Sequence, residues 1–195
     1  RKRASIPTVA RDRPLPLSFS QRRLWFLDRL EPGAPYYNMP FRQPLGPEID
    51  AALLERALNA VIARHEALRT RFDTLEDEPV QLIAEQAELT LTIIDLGGLP
   101  EPERAHADRA TAAQHAALGF DLIKGPLMRA ALTLQGTADR HLMLCMHHII
   151  SDGWSIDILT RELTIYYQRL SGEAEGPDPL PRLEIQYPDY AVWQR

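Results

Sequence analysis

The run Met146-His147-His148-Ile149-Ile150-Ser151-Asp152-Gly153-Trp154-Ser155 joins a predicted strand to a predicted helix. The strand side is apolar, with Leu142 to Cys145 leading into the run, and the helix side carries apolar residues at helical spacing. Two imidazoles therefore stand at the end of a predicted buried strand, and a carboxylate follows four residues after the second. Ionisable side chains are rarely buried without a partner or a function, so this junction is the predicted functional site.

Composition places the chain among ordinary globular proteins. Its 195 residues are 45% hydrophobic and 25% charged, enough for one domain or one large lobe of a bigger domain. The net charge of −5, with Lys and Arg scattered, gives no electrostatic footprint for nucleic acid. The single Cys145 excludes an internal disulfide and a cysteine-based metal site, and its apolar neighbours indicate an inert buried thiol.

The start of the chain and the lengths of its apolar runs predict the domain boundary and the location of the protein. Residues 1–14 are basic and interrupted by Pro7 and Pro14, which predicts an interdomain linker, and residues 15–195 form the lobe. No apolar run reaches the ~18 residues needed to span a membrane. No signal peptide follows the basic start, so the cytoplasm is the expected location. The first residue is Arg1 rather than Met, which indicates a piece of a longer polypeptide.

The pattern of elements predicts the fold class. Ser18 and Gln21 form a capping box for a first helix, whose predicted buried face consists of Leu24, Trp25, Leu27 and Leu30. Asp50 caps a second helix, whose predicted apolar stripe consists of Leu54, Leu58, Val61, Ile62 and His65. Strands are predicted at 41–45, 68–72, 80–83, 89–94, 127–134 and 141–149, and further helices from Pro102 to near Gly119, from Gly153 to near Ser171, and from Tyr187. Residues 135–139 give a hairpin turn, and 173–181 a loop. Helices interleaved with hairpins indicate an α/β (α+β) layered sandwich with a mixed, largely antiparallel sheet and flanking helices.

Three features of the junction bear on chemistry. Side chains alternate along a strand, so His147 and His148 cannot both face one cavity, and one of them is structural. Asp152 can either cap the following helix or hold an arginine, while Gly153 leaves its N–H open at a helix N-terminus, where negative charge is stabilised. A metal at His148 and Asp152 is disfavoured, because zinc needs three or four ligands and no third stands nearby.

These residues resemble a known family. His147-His148-Ile149-Ile150-Ser151-Asp152-Gly153 is similar to the HHxxxDG signature of condensation domains of non-ribosomal peptide synthetases, relatives of chloramphenicol acetyltransferase. Residues 18–27 resemble the motif SxAQxRLWFL, with Ser20 where Ala is usual. Residues 64–72 match RHExLRTxF, and residues 187–193 match YxDYAxW. Four blocks in the family's order, from residue 17 to residue 193, make the resemblance specific.

The resemblance implies an enzyme. The family forms an amide between a donor acyl or peptidyl thioester and the amine of an acceptor aminoacyl thioester. No cofactor is bound directly, since phosphopantetheine arms of an upstream and a downstream carrier protein deliver both substrates, with an adenylation domain in the same synthetase. The family's later motifs are missing, so the chain is expected to be the N-terminal lobe, without the C-terminal lobe and inactive alone.

The resemblance also assigns residues. His148 is the catalytic imidazole, Gly153 offers its N–H to the intermediate, and His147 is structural. Asp152 is structural too and pairs with Arg64 or Arg69 of the second block, with Arg69 preferred. The residues expected in packing or in the tunnel wall are Trp154, Ser155, Tyr187 and Trp193, and no metal is expected.

The subtype is inferred from further comparisons of sequence. Epimerisation relatives typically carry Val-Ser-Trp after the Asp-Gly, whereas this chain has Gly153-Trp154-Ser155, and His147 differs from the Asp of heterocyclisation relatives. The stretches 30–33 and 37–40 resemble domains that join an L-donor to an L-acceptor.

Three alternatives stand beside this hypothesis. His148 could be a satisfied core histidine, although the four blocks argue against it. The chain could be a non-catalytic recruitment or docking module, but such relatives usually lose part of the motif, which is intact here. It could also be a free-standing acyltransferase that uses coenzyme A thioesters, but the linker and the missing initiator favour a multidomain synthetase.

Overall fold

The computed structural model describes residues 5–136, 140–173 and 180–195. The basic start Arg1-Lys2-Arg3, residues 137–139 of the predicted hairpin turn and residues 174–179 of the predicted loop lie outside the described residues. The described elements are β1 (Leu15–Pro16), α1 (Phe19–Leu30), β2 (Asn38–Leu45), α2 (Ala51–Arg64), β3 (Thr70–Leu75), β4 (Glu78–Ile83), β5 (Thr92–Asp95), α3 (Glu101–Ala117), β6 (Met128–Leu134), β7 (Arg140–His147), α4 (Gly153–Leu170) and α5 (Tyr187–Trp193). Short 3₁₀ turns occupy Pro35–Tyr37 and Glu66–Arg69.

The strands form two sheets. In the four-stranded sheet the order is β2-β7-β6-β5, with β7 antiparallel to β2 and β6, and β5 parallel to β6. In the three-stranded sheet the order is β1-β4-β3, and all pairs are antiparallel. The predicted mixed, largely antiparallel α/β fold is therefore confirmed, and so is the hairpin of β6 and β7. Strand β2 tolerates Pro40 and Pro44 because it lies at a sheet edge.

The core lies between the large sheet and the helices. The buried face of α2 consists of Leu54, Ala57, Leu58, Val61 and Ile62, so the apolar stripe predicted for this helix is confirmed, apart from His65. It packs in one cluster with buried side chains of β6 and β7 and with α4. Free Cys145 is fully buried in β7, and burial raises the pKa of its thiol, which agrees with an inert group. No helix in the described ranges is long and apolar enough to cross a membrane.

Several element boundaries differ from the prediction. Strand β7 ends at His147, because the following residues form a turn. Strand β5 begins at Thr92 rather than Leu89, since the N–H of Leu89 is bonded to the side chain of Asn59 on α2. In α1 the buried positions are Gln21, Trp25 and Asp28, so the predicted apolar face shifts, and Leu30 is exposed.

The predicted linker is partly attached to the lobe. Its described part, residues 5–14, contains no helix or strand. The N–H of Val9 nevertheless donates to Asp189 on α5 at 2.9 Å. The guanidinium of Arg11 bonds both Asp189 and Glu66 at 2.8 Å. Residues 9–11 are therefore held against α5 and the 3₁₀ turn at 66–69.

Candidate active site

His147 is the last residue of β7 and lies in the core. Its side chain is 1% exposed and packs against the rings of Tyr37 and Phe120, with ring centroids 6.3 Å apart in each pair. Nδ1 accepts the N–H of Ile149 at 3.1 Å, which fixes the turn that follows the strand. Burial, with a smaller effect of neighbouring His148, lowers the pKa of His147 to about 4. The imidazole is therefore neutral at pH 7 and out of reach of a substrate.

His148 has the opposite environment. It is exposed at the first position of the turn, and its backbone N–H donates to the carbonyl of Tyr37 at 2.8 Å. Its side chain lines a cavity of about 190 Å³. The other lining residues come from α1, from the turn itself, from the start of α4 and from the start of α5: Ser20, Gln21, Leu24, Ile149, Ile150, Ser151, Asp152, Ser155 and Tyr187. The core-histidine interpretation thus fits His147 and not His148.

Asp152 is the N-cap of α4. Its carboxylate accepts the backbone N–H of Ser155 at 2.8 Å and the hydroxyl of Ser155 at 2.7 Å. The N–H of Asp152 donates back to that hydroxyl oxygen at 3.3 Å, which completes a capping box. The hydrogen bond from the Ser155 hydroxyl is the main cause that lowers the pKa of Asp152, and nearby His148 contributes. Asp152 therefore caps the following helix and does not hold an arginine within the described residues.

In the described part of the chain, the expected ion pair between Asp152 and Arg64 or Arg69 is not formed, because both arginines have other partners. Nε of Arg64 donates to Glu162 on α4 at 3.2 Å, and Nη2 to the carbonyl of Pro181 at 2.6 Å. Arg69 donates to the carbonyl of Ala84 and lies 3.9 Å from Glu66. Within the described ranges neither arginine pairs with Asp152, because α4 directs that carboxylate to its own first turn.

Gly153 begins α4 beside this carboxylate. A Cβ added at this position would meet no atom within 4 Å, so the glycine leaves space open in front of the helix N-terminus. The first N–H groups of a helix have no partner within the helix, and they carry partial positive charge. The N-terminal end of α4 is thus suited to stabilise negative charge next to the cavity that His148 lines.

Sequence reasoning missed the contacts by which Glu162 and Gln21 position the site. The carboxylate of Glu162 is 3% exposed and accepts from Nε2 of His65 at 2.6 Å as well as from Arg64, so it connects α2 to α4. The sequence carried a signal, because Glu162 stands between Leu159 and Leu163 on the buried face of α4. Gln21 is also buried, and its Nε2 donates to the carbonyl of Ile149 at 3.4 Å.

The residues expected in packing or in the tunnel wall separate into two groups. Tyr187 and Ser155 line the cavity with His148. Trp154 is 78% exposed and Trp193 is 47% exposed, and neither lines that cavity. In the part of the chain that is described, no group of three or more His, Cys, Asp or Glu side chains is arranged to hold a metal ion.

The family model of the condensation domain matches residues 12–195, and the chain therefore belongs to the condensation domain family. Relatives with similar sequences are large peptide synthetases. A linear gramicidin synthase protein of Brevibacillus parabrevis is 45% identical over 191 residues, which are 97% of this chain and 2% of that protein. Phosphinothricin tripeptide synthetase PhsC of Streptomyces viridochromogenes is 44% identical over 185 residues, 94% of this chain and 17% of that protein.

Solved structures agree with this family. The X-domain in its complex with OxyB from teicoplanin biosynthesis matches with a TM-score of 0.85 and 28% identity, over 100% of this chain and 40% of that chain. SgcC5 of Streptomyces globisporus matches with a TM-score of 0.78 and 30% identity, over 92% of this chain and 41% of that one. The resemblance to condensation domains and their fold is thus confirmed, while the chain spans well under half the length of these relatives.

Proposed function

We propose that this chain is the N-terminal lobe of a condensation domain that forms peptide bonds in non-ribosomal peptide synthesis. A donor acyl or peptidyl thioester is joined to the amine of an acceptor aminoacyl thioester. The observation that carries the proposal is the division of the two histidines. His147 is buried, neutral and bonded to the backbone, whereas His148 is exposed and lines a cavity at the N-terminus of α4.

The chemistry suits an imidazole at this position. An α-amine has a pKa near ~8, so a useful fraction is already neutral at pH 7. His148 accepts the amine proton as the amine attacks the thioester carbon, which is typically worth ~10²–10⁴ in rate. Negative charge then develops on the carbonyl oxygen, and the N–H of Gly153 at the positive end of α4 stabilises it. A thioester is an activated acyl group, so the reaction itself calls for no metal or redox cofactor.

The partners belong to the same proposal. Upstream and downstream carrier proteins deliver the substrates on phosphopantetheine arms, an adenylation domain loads one of them, and the cytoplasm is the setting. The donor and the acceptor are L-configured, on the strength of residues 30–33 and 37–40. The C-terminal lobe of the domain closes the cavity from the other side. The exposure of His148 supports this last point and the inactivity of the isolated lobe.

The decisive experiment uses the full-length parent synthetase with both carriers loaded. His148→Ala should abolish peptide formation while carrier loading persists, and His106→Ala, which alters an exposed imidazole on α3, should leave both steps unchanged. Condensation that survives His148→Ala would overturn the proposal. Peptide formation by this chain alone, compared with a version extended through the C-terminal lobe, would contradict the inactivity of the lobe.

A second candidate is a non-catalytic recruitment module. One observation favours it, namely the match to an X-domain whose solved structure is a complex with OxyB. A recruitment module would keep its role after His148→Ala, so the same experiment separates the two. An acyl-coenzyme A donor, supplied in place of the loaded upstream carrier, tests the free-standing acyltransferase alternative.

A further inference from the structure

The cavity of His148 contains a phenol whose hydroxyl is held in place by a hydrogen bond to Ser18. Tyr187 begins α5 and lines this cavity together with His148 and Asp152. The residue is 38% exposed, so part of its side chain is accessible from outside. Burial of the rest raises the pKa of the phenol, which keeps its proton throughout the neutral range.

The hydroxyl of Tyr187 lies 2.9 Å from Oγ of Ser18, and the position of the shared proton follows from the surroundings of Ser18. Ser18 is 1% exposed and caps α1, where its Oγ accepts the N–H of Gln21 at 3.1 Å. A buried hydroxyl must also donate its own proton. Within the described ranges, the oxygen that lies at hydrogen-bond distance to accept the Ser18 hydroxyl proton is that of Tyr187.

Ser18 is therefore the donor and Tyr187 the acceptor in this pair. The opposite arrangement would leave the buried proton of Ser18 without a partner, which carries the full desolvation penalty of that group. The proton of Tyr187 is then not used by Ser18. Within the described residues Tyr187 makes no hydrogen bond to Asp152 either, and Oδ1 of that carboxylate accepts the N–H and the hydroxyl of Ser155. The proton of Tyr187 remains available for a ligand in the cavity.

We propose that Tyr187 is a further catalytic residue beside His148 and Gly153, and this inference rests on the proposed function. Its hydroxyl donates a hydrogen bond to the carbonyl oxygen of the donor thioester. The amine nitrogen forms a bond to the carbonyl carbon, the π electrons move to the oxygen, and Tyr187 stabilises the resulting charge without losing its proton. The intermediate collapses by breaking the carbon–sulfur bond, and His148 passes the proton from the amine to the departing thiolate.

The test compares two tyrosines of the same helix in the full-length synthetase with both carriers loaded. Tyr187→Phe removes the hydroxyl and keeps the ring that packs on Tyr190, with centroids 5.7 Å apart. The matched control is Tyr190→Phe, because Tyr190 is equally exposed but does not line the cavity. Tyr187→Phe should lower kcat by about 10²-fold with KM for the loaded acceptor nearly unchanged. Tyr190→Phe should leave both constants within about twofold of the parent.

A loss of kcat below about threefold for Tyr187→Phe would overturn the inference. A structural role is tested by placing 3,5-difluorotyrosine at position 187, since fluorination makes the phenol more acidic. Peptide formation should persist, with the alkaline limb of its pH–rate profile shifted to lower pH, and an unshifted profile would contradict donation by the phenol.

His148→Ala separates the proposed role of Tyr187 from the proposed function. If it abolishes condensation while Tyr187→Phe does not, only the role of Tyr187 fails, and if condensation survives His148→Ala, the proposed function fails.

Discussion

Acidification should destabilise this chain through His147 in particular. The pKa of His147 is about 4 in the folded chain, against 6.5 for a free imidazole. Between these values the unfolded chain binds more protons than the folded one, so the stabilisation is complete above pH 6.5 and is lost as the pH falls toward 4. At about 1.4 kcal/mol per pKa unit, the difference amounts to about 3 kcal/mol.

Urea unfolding at pH 7 and at pH 4, followed by far-ultraviolet circular dichroism, measures this effect. His147→Asn keeps an acceptor for the N–H of Ile149 but does not titrate. It should be less stable at pH 7, because the ring contacts with Tyr37 and Phe120 are lost. Its further loss on acidification should nevertheless be smaller than that of the parent by about 3 kcal/mol.

His106→Asn is the control, since it removes an exposed imidazole and should follow the parent. Carboxylates titrate in all three proteins, so the comparison isolates the buried ring. Equal pH dependence of the parent and His147→Asn would refute the reasoning. His147→Ala should likewise act through folding, and an unchanged Tm together with lost activity would contradict the structural role of His147.

Three further substitutions test the surroundings of the site. Asp152→Ala removes the cap of α4 and should lower the free energy of unfolding by about 1 kcal/mol in urea titrations, whereas unchanged stability would argue against the cap. Glu162→Gln leaves the Arg64 cation without its buried counter-charge and should cost about 3 kcal/mol by the same measurement, while Asp157→Asn on the exposed face of α4 should be neutral. Asp189→Asn should release Val9 and Arg11 and speed tryptic cleavage after Arg11, and a rate equal to that of Asp157→Asn would show that residues 9–11 are not held there.

Local rules were sufficient for much of the fold. The capping box of Ser18 and Gln21 and the cap at Asp50 depend on residues three positions apart, so the sequence predicts them directly. The apolar stripe of α2 and the hairpin of β6 and β7 were predicted for the same reason. At the site, His147 and His148 do have different surroundings, but strand alternation is not the reason, because β7 ends at His147 and His148 lies in the turn that follows.

The rest depends on contacts between distant parts of the chain. Arg64 and Glu162 are 98 positions apart, and nothing local in the second block indicates that its arginine chooses Glu162 over Asp152. The sequence predicts that Leu89 begins a strand, but its N–H donates to the side chain of Asn59 on α2. The orientation of the Tyr187 hydroxyl requires the burial of Ser18, 169 positions away, which no spacing encodes.

The bond from the His148 N–H to the Tyr37 carbonyl has a practical consequence for building chimeric synthetases. Of residues 37–40, on which the proposed substrate configuration rests, the last three belong to β2, and β2 pairs with β7 from Asn38 opposite His147 onward. A recombination boundary between these segments would pack residues 37–40 of one parent against the turn at His148 of another. If residues 37 and 148 come from the same parent, the hydrogen bond between them should be preserved, and the imidazole of His148 should keep the orientation it has in that parent.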